Sequence, residues 1–219
     1  SEPIRAEVFA LRSEAGLLQE YAFAKRFGRQ ASEEVAQDLS GELGRVLNAR
    51  AIKAMADAVP AGAEVTWSKT PPAGVSYAEH KLTFVDAFSQ AEAKLNFNAN
   101  RGNITRLICG TNAAATLRGL PGFTPSDSGL AFSVGLYGYW NSVPVIRAAN
   151  LIDADTIIAS YKGASYFESP LVHAPYMPLF VSSTMGTGAN PLRNQRVAAI
   201  WAGMKVVIPN FLVKIKIVA

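Results

Sequence analysis

Apolar residues recur at helical spacing through the first part of the chain. Leu39, Leu43, Val46 and Leu47 fall at i, i+4, i+7 and i+8, and Leu17, Tyr21 and Ala24 form an earlier stripe. The pattern predicts one helix from Ser13 to Val59, with Ser13 as its N-cap and Pro60 closing it. Glycines at 28, 41 and 44 each cost about 1 kcal/mol against alanine in a helix interior, so a kink or break is expected near Gly28 or Gly41. "VTWSKTPPAG" reads as a short extended piece and then a Pro-Gly loop. A second helix opens at "SYAE", where Ser76 and Glu79 stand at capping-box spacing. Its expected buried face is Leu82, Val85, Phe88, Ala91 and Leu95, and "NANRG" ends it.

Next come a buried strand at "ITRLICG" and a short helix at "TNAAATLRGL", capped by Thr111 or Asn112. "PGFTPSDSG" reads as a loop. Beyond Leu130 the period changes to that of strands. "LAFSVGLYGYW" and "VPVIRA" flank Asn141 and Ser142 as a hairpin, and "DTIIASYKG" continues the pattern. "VAAIWAGMKVVI", Pro209-Asn210 and "FLVKIKIVA" read as a second hairpin. In its last strand Lys214 and Lys216 alternate with Val213, Ile215 and Ile217, which gives one wet face and one dry one. No internal repeat or low-complexity tract occurs. The fold class is therefore α+β.

Composition adds one point to this picture. Hydrophobic residues make up 49% of the 219 and charged ones only 17%, too few to cover a free-standing surface, so a partner is expected to cover part of it. No apolar run reaches the roughly 18 residues that span a bilayer, and the start lacks a signal-peptide layout, so a soluble protein not exported by that route is expected, with no membrane partner. The net charge of +4 sits at the C-terminal end, where residues 161–219 carry six basic residues and one acid. The bases are scattered, as ordinary solvated lysines and arginines are, and do not form a nucleic-acid reader.

Candidate chemistry is thin. One cysteine, Cys109, excludes an intramolecular disulfide, and with only His80 and His173 a nitrogen–sulfur zinc site is not expected. No G-x-S-x-G places a serine nucleophile, and Cys109 ends an apolar strand, where cysteine behaves as a small hydrophobe. Asp153 and Asp155 share a face if extended and form the one paired-carboxylate candidate for a cation, but they lie in a loop. "GTGAN" at Gly186–Asn190 lacks the Lys-Ser/Thr of a phosphate loop, "GLYGYW" lacks dinucleotide spacing, and Asn103 is a sequon only in a secretory context. Phe132, Tyr137, Tyr139 and Trp140 have no interleaved base and read as sheet core or an interface anchor, not a base-stacking platform. No cofactor is expected.

What remains is a run of words in fixed order. "GTNAAATLRGLPGF", "NSVPVIRA", "IIASYKGASYFESPLVHAPYMPLF" and "WAGMKVVIPNFLVKIKI" together resemble the C-terminal half of the major capsid proteins of tailed bacteriophages of the contractile-tailed, T-even-like kind. Tyr161–Gly163, Ala174–Tyr176 with Pro178-Leu179, and Gly203–Lys205 carry the likeness most strongly, and it extends from about Leu39 to Val218. The resemblance implies the Hong Kong 97 capsid fold. Its peripheral domain with the spine helix would occupy 1–73, an inserted axial domain 74–160, and the return to the peripheral sheet 161–219. His173 and Glu168 would then be structural. In this family an N-terminal arm and an extended loop precede the spine helix. With a helix starting near Ser13 both would be missing, so neither cross-linking nor a maturation cleavage carries over.

The implied function is self-assembly into the icosahedral head shell around double-stranded DNA, with no enzymatic step. The implied partners are further copies in hexamers and pentamers, or a related vertex protein, with other capsid, portal or decoration proteins and non-specifically packaged DNA. The implied place is the virion head, assembled in the host cytoplasm. Two loops are the expected inter-subunit contacts. One, Leu120 to Asp127, is apolar and turn-rich, with Leu120, Pro121, Phe123 and Pro125. The other, Ser182 to Arg193, ends on Arg193 with Arg196 just beyond. An encapsulin-type shell around protein cargo is the alternative. A small enzyme or binding domain built on Asp153, Asp155 or His173 is the third class.

Overall fold

The computed structural model describes residues 3–28, 31–126, 134–165, 168–182, 185–187 and 190–218. The chain forms two compact units, 1–50 with 173–205, and 51–172 with 206–219.

In the first unit the chain opens with strand β1 (Glu7–Gly16), then helices α1 (Leu17–Phe27) and α2 (Ala31–Asp57), of which residues 31–50 belong here. Three later strands complete it: β8 (Leu171–Val181), β9 (Met185–Thr187) and β10 (Asn190–Val206). β10 lies between β1 and β8, and β9 also pairs with it. The expected helix start at Ser13 is corrected, and the expected break falls at Gly28. Ser13 sits inside β1, opposite Arg196, because residues 7–16 find an antiparallel partner in β10 from Glu7↔Ala202 to Gly16↔Arg193. The helix begins at Leu17, and its opening is marked by Gln19, whose side-chain oxygen accepts from the Gly16 N–H (3.3 Å). Gly28, at φ 67°, ends α1 in the left-handed conformation that glycine reaches without a Cβ penalty. Gly41 and Gly44 stay inside an unbroken α2.

The second unit is built on a seven-stranded sheet in the order β2-β11-β7-β3-β6-β5-β4. These strands are β2 (Glu64–Ser68), β3 (Arg106–Cys109), β4 (Phe123–Pro125), β5 (Val134–Trp140), β6 (Val143–Ala148), β7 (Thr156–Ser160) and β11 (Leu212–Val218). Helices α3 (Tyr77–Leu82), α4 (Phe84–Ala99) and α5 (Thr111–Arg118) accompany it. One face packs Val213, Ile215 and Ile217 with Phe84, Ala91 and Leu95 of α4 and Leu117 of α5. The other face packs Ile108, Ile158 and Leu212 with Ile52 and Met55, from the last turns of α2. The alternation read in the last strand holds: Val213, Ile215 and Ile217 are buried, Lys214 is half-buried and Lys216 is exposed.

Four further expectations change. β10 and β11 do not form a hairpin. They belong to different sheets, and β11 pairs in parallel with β2 and antiparallel with β7, which also pairs antiparallel with β3. The helix after Ser76 is broken at Thr83, whose hydroxyl donates to His80 O (2.6 Å) and accepts from Trp67 Nε1 (3.0 Å). The break rotates the next helix so that Phe84, Ala87, Ala91 and Leu95 face inward while Leu82 and Val85 are exposed. The N-cap of α5 is Gly110, not Thr111 or Asn112, and no side chain caps it. The first three residues that follow Gly122 are strand β4, not loop, since Phe123↔Trp140 and Thr124↔Tyr139 pair across to β5. Asp127 to Gly129 of that stretch, and Leu130 to Ser133, including Phe132, lie outside the described residues.

The local turn signals are met. Ser76 Oγ accepts from Glu79 N (3.3 Å), and Glu79 Oε2 accepts from Ser76 N (3.3 Å). Asn141 and Ser142 both have positive φ, 46° and 69°, the type I′ pattern that suits strand twist. Serine carries a steric penalty there that glycine does not. Ser142→Gly is therefore expected to raise stability by about 0.5–1 kcal/mol, seen as a melting temperature about 2 °C higher.

Candidate inter-subunit surface

The residues that could support chemistry are engaged in structure. Cys109 is fully buried at the end of β3, and burial pushes its thiol pKa far up, so it stays protonated and unreactive. His80 is 8% exposed, its Nε2 lies 2.8 Å from Ser68 O, and its ring stacks on Trp67 at 5.4 Å. It ties α3 to the end of β2. Asp155 accepts from Asn112 Nδ2 (3.3 Å), and the Asp153 and Ala154 carbonyls take the N–H groups of Thr156, Asn112 and Ala113. These hydrogen bonds lock the Asp153–Asp155 segment as a turn against the start of α5. Among the described residues no group of three His, Cys, Asp or Glu side chains is placed to hold a metal ion. An open recess of about 490 Å³ lies in the first unit, where β1 meets α1, and among the described residues its charged lining is Glu14 and Arg193. It holds the Glu14–Arg193 ion pair.

The stretch from Tyr161 to Phe180 is explained by packing. Tyr161 sets its ring edge-on against Phe211 at 5.2 Å. The same ring covers Gly102, where a Cβ would strike it, so Tyr161 and Gly102 fit as a pair. A Cβ on Gly163 would likewise strike Glu168, whose carboxylate accepts from Arg101. Glu168 is thus structural. His173 is exposed on β8, and Pro175 and Pro178 lie in the same strand at the end of the sheet order, where a missing ladder donor is tolerated. A Cβ on Gly203 of the Gly-Met-Lys word would strike Ile4 and come within 2.9 Å of the Arg5 carbonyl oxygen.

The six expected contact residues are distributed unevenly. Leu120 is 4% exposed in the core of the second unit. Pro121 is exposed and its carbonyl accepts from Trp140 Nε1 (3.1 Å). Phe123 is half-buried with its ring 5.6 Å from Tyr137, and Pro125 is exposed on β4. The stretch from Ser182 to Arg193 contains β9 and the start of β10, while residues 183, 184, 188 and 189 lie outside the described residues. Arg193 places its guanidinium 3.6 Å from Glu14, which Arg12 also meets at 2.7 Å. Arg196 lies three residues further along β10, opposite Ser13.

A larger surface escaped the sequence reading. In the first unit Val8 stands opposite Trp201 across the β1–β10 ladder, and Trp201 meets Tyr176 of β8 at 5.9 Å. These side chains are 58%, 37% and 77% exposed, an apolar row across three strands. Leu179 and Phe180 are also exposed on β8, and α1 has no buried residue although it carries Leu17, Leu18, Tyr21 and Phe27. An 11-residue helix is marginal in water without a packed face. Residues 171–192 contain no Asp, Glu, Lys or Arg, which was the available signal. Exposed apolar surface concentrated in this way marks a contact region.

Comparison with known proteins bears on what makes the contact. Residues 11–197 match the family model described as Major capsid protein Gp23. No curated protein matches the sequence. A solved structure from Mycobacterium phage Che8 is similar over 95% of this chain and 70% of its own, with 14% identity and a TM-score of 0.60. The capsid of Myoviridae phage XM1 is similar over 97% and 74%, with 11% identity and a TM-score of 0.59. The holo-SrpI encapsulin complex from Synechococcus elongatus is similar over 96% and 73%, with 11% identity and a TM-score of 0.63. At these identities the structural likeness is one of fold.

Proposed function

Because the chain belongs to the Major capsid protein Gp23 family and has the Hong Kong 97 capsid fold, we propose that it builds a closed icosahedral phage head around double-stranded DNA. The protein is a capsid shell component of the virion head. The structural observation that supports self-assembly is the apolar surface left uncovered on the first unit, in a chain with few charges to keep that surface wet. The copies meet as hexamers, with pentamers or a related vertex protein closing the curvature, and assemble in the host cytoplasm. Packaged DNA, portal and decoration proteins are the further partners. The role involves no catalytic step and no cofactor.

In this reading the unit with the long-stranded sheet and α2 is the peripheral domain. The axial role falls to the unit that contains residues 74–160, which β2 and β11 extend at one edge of its sheet. Pro121 and Pro125 on the β4 turn, and Arg193 on β10, are the exposed contact residues of the two units. Leu120 and the half-buried Phe123 support that turn from below, so they act on a contact through the fold. Each contact alone is of modest strength. A subunit held by several neighbours at once gains orders of magnitude through effective concentration.

Negative-stain electron microscopy of the purified protein at rising concentration tests the proposal. Closed shells or capsomer rings are the expected result. Uniform monomers at every concentration would sink it. The contents of any particles separate the phage head from an encapsulin-type shell, the reading that the SrpI likeness favours: nucleic acid supports the first and packaged protein the second.

A further inference from the structure

Each unit is held by different means. Both apolar core clusters lie wholly in the second unit, around Phe84, Leu95 and Ile215 on one sheet face and Ile158 on the other. Among the described residues, the buried apolar side chains of the first unit are Leu43, Ala198 and Ala202. Two of these are alanines, so Leu43 alone among them withdraws a large side chain from water. Exposure shows the reverse bias. Of the 17 large apolar side chains exposed among the described residues, ten belong to this smaller unit, with Leu18 and Tyr176 the most open of them (79% and 77%).

Ordering a residue's backbone costs conformational entropy, and burial of apolar surface is the main term that offsets it. The first unit has little of that term. Its β1–β10 ladder is ten pairs long, but opening the ladder exchanges its hydrogen bonds for bonds to water, with a modest net loss. The ion pairs of Glu14 with Arg12 and Arg193 each have a partner more than half exposed, where such pairs add little. Helix α1 buries no residue and is too short to hold by itself.

We infer that the first unit opens separately in the free subunit, and that contact with a second copy of the chain is what fixes it closed. The inference rests on the shell reading above and adds how a copy becomes competent to join the shell. A second copy is the occupant because the chain belongs to a major capsid protein family, in which the neighbouring surfaces of the shell are those of other copies. The second unit, with a core on both faces of its sheet, stays folded throughout. Val8, Trp201 and Tyr176 form one row only while β10 lies between β1 and β8, so the open form presents no such surface. The affinity of a free copy is reduced by the fraction of copies that are closed. A copy already in the shell is held closed, so joining a shell is easier than starting one. Free copies are thereby kept apart until their concentration is high enough to start a shell.

Hydrogen–deuterium exchange of the whole chain tests this, first where sedimentation velocity shows monomers and then in particles. In the free chain, amides of β1, β8 and β10 are expected to exchange about 100-fold faster than those of β3, β7 and β11. The boundary is expected inside α2, between the turn at Leu43 and the turns at Ile52 and Met55 that join the second core. In particles the first unit is expected to slow by about 100-fold, with the second unit unchanged. Equal protection of both units in the free chain overturns the inference. Leu43→Ala is expected to cut particle yield about tenfold or more and to leave exchange in the second unit unchanged. Wild-type yield from that variant, or a loss of protection in both units together, also overturns the inference. If the unsubstituted chain forms no particles, the shell reading fails, and fixation by a second copy fails with it. If particles form and the first unit exchanges in them as fast as in the free chain, the shell reading stands and only this inference fails.

Discussion

Replacing Trp140 by alanine is expected to cost the unit built on the seven-stranded sheet about 4 kcal/mol of stability. The indole is 1% exposed at the end of β5, in edge contact with Phe88 at 4.8 Å and tilted against Phe84 at 6.0 Å. Removing it opens a cavity between the sheet and α4 that neither ring can fill from its own rotamer. It also removes the Nε1–H donor from the Pro121 carbonyl, which fixes the turn leading into β4. A loss of this size lowers the melting temperature by about 10 °C, measurable by calorimetry or by far-UV circular dichroism. Trp140→Phe separates the two causes. It keeps most of the volume and removes only the donor, so about 1–2 kcal/mol is expected from it. Equal losses in both variants would assign the effect to the hydrogen bond, and an unchanged melt in Trp140→Ala would remove this indole from the core account.

The parts of the fold legible in the sequence are those decided within a few residues. Ser76 and Glu79 cap a helix from three positions apart, Asn141 and Ser142 turn a hairpin by themselves, and Gly28 ends α1 through its own φ. The parts that were not legible depend on distant partners. Residues 7–16 carry both helical and strand patterns, and β10, nearly the whole chain away, decides between them. β11 looks like the second arm of a hairpin, but β2 and β7 bind it instead, one parallel and one antiparallel. The helix after Ser76 reads as continuous because nothing local shows that Trp67 Nε1 will reach Thr83.

The contact surface divides in the same way. The charge shortage was visible as a composition, and it called for a cover. Its location was not visible, because Val8, Tyr176 and Trp201 are 25 to 193 residues apart in sequence and become one row only when β10 lies between β1 and β8. Arg193 was read, with Arg196 just beyond it, as the end of a contact loop. In the ladder it joins Arg12 on Glu14. Family words such as Tyr161-Lys162-Gly163 look like candidate chemistry for a related reason. Their residues are chosen by close packing against Gly102, Phe211 and Glu168, which only the fold brings near.

Gly110→Ala is the second substitution with a large expected effect, about 3 kcal/mol of lost stability, and it shows what a family glycine is for. Gly110 joins β3 to α5 with φ −66° and ψ 172°, angles that alanine adopts without strain. The obstacle is therefore not the backbone of residue 110 but what lies beside it. A Cβ there would press into the Asp153 carbonyl and come within 2.5 Å of the Ala154 oxygen. Those atoms cannot retreat freely. Ala154 O accepts from Asn112 N and Ala113 N at 3.0 Å, Asp153 O accepts from Thr156 N at 3.1 Å, and Gly110 N donates to Thr156 O at 2.9 Å. Moving the 153–156 turn away to admit one methyl group breaks bonds that hold the start of α5 and the end of β3 together. Gly62→Ala provides the control, since nothing lies within 4 Å of a Cβ at Gly62, and a change within about 0.5 kcal/mol is expected there. Urea denaturation of both variants measures the difference. Equal stability of the two would mean that the turn swings aside at no cost. The glycine that opens "GTNAAATLRGLPGF" would then need a reason outside the subunit, at a surface that meets another copy.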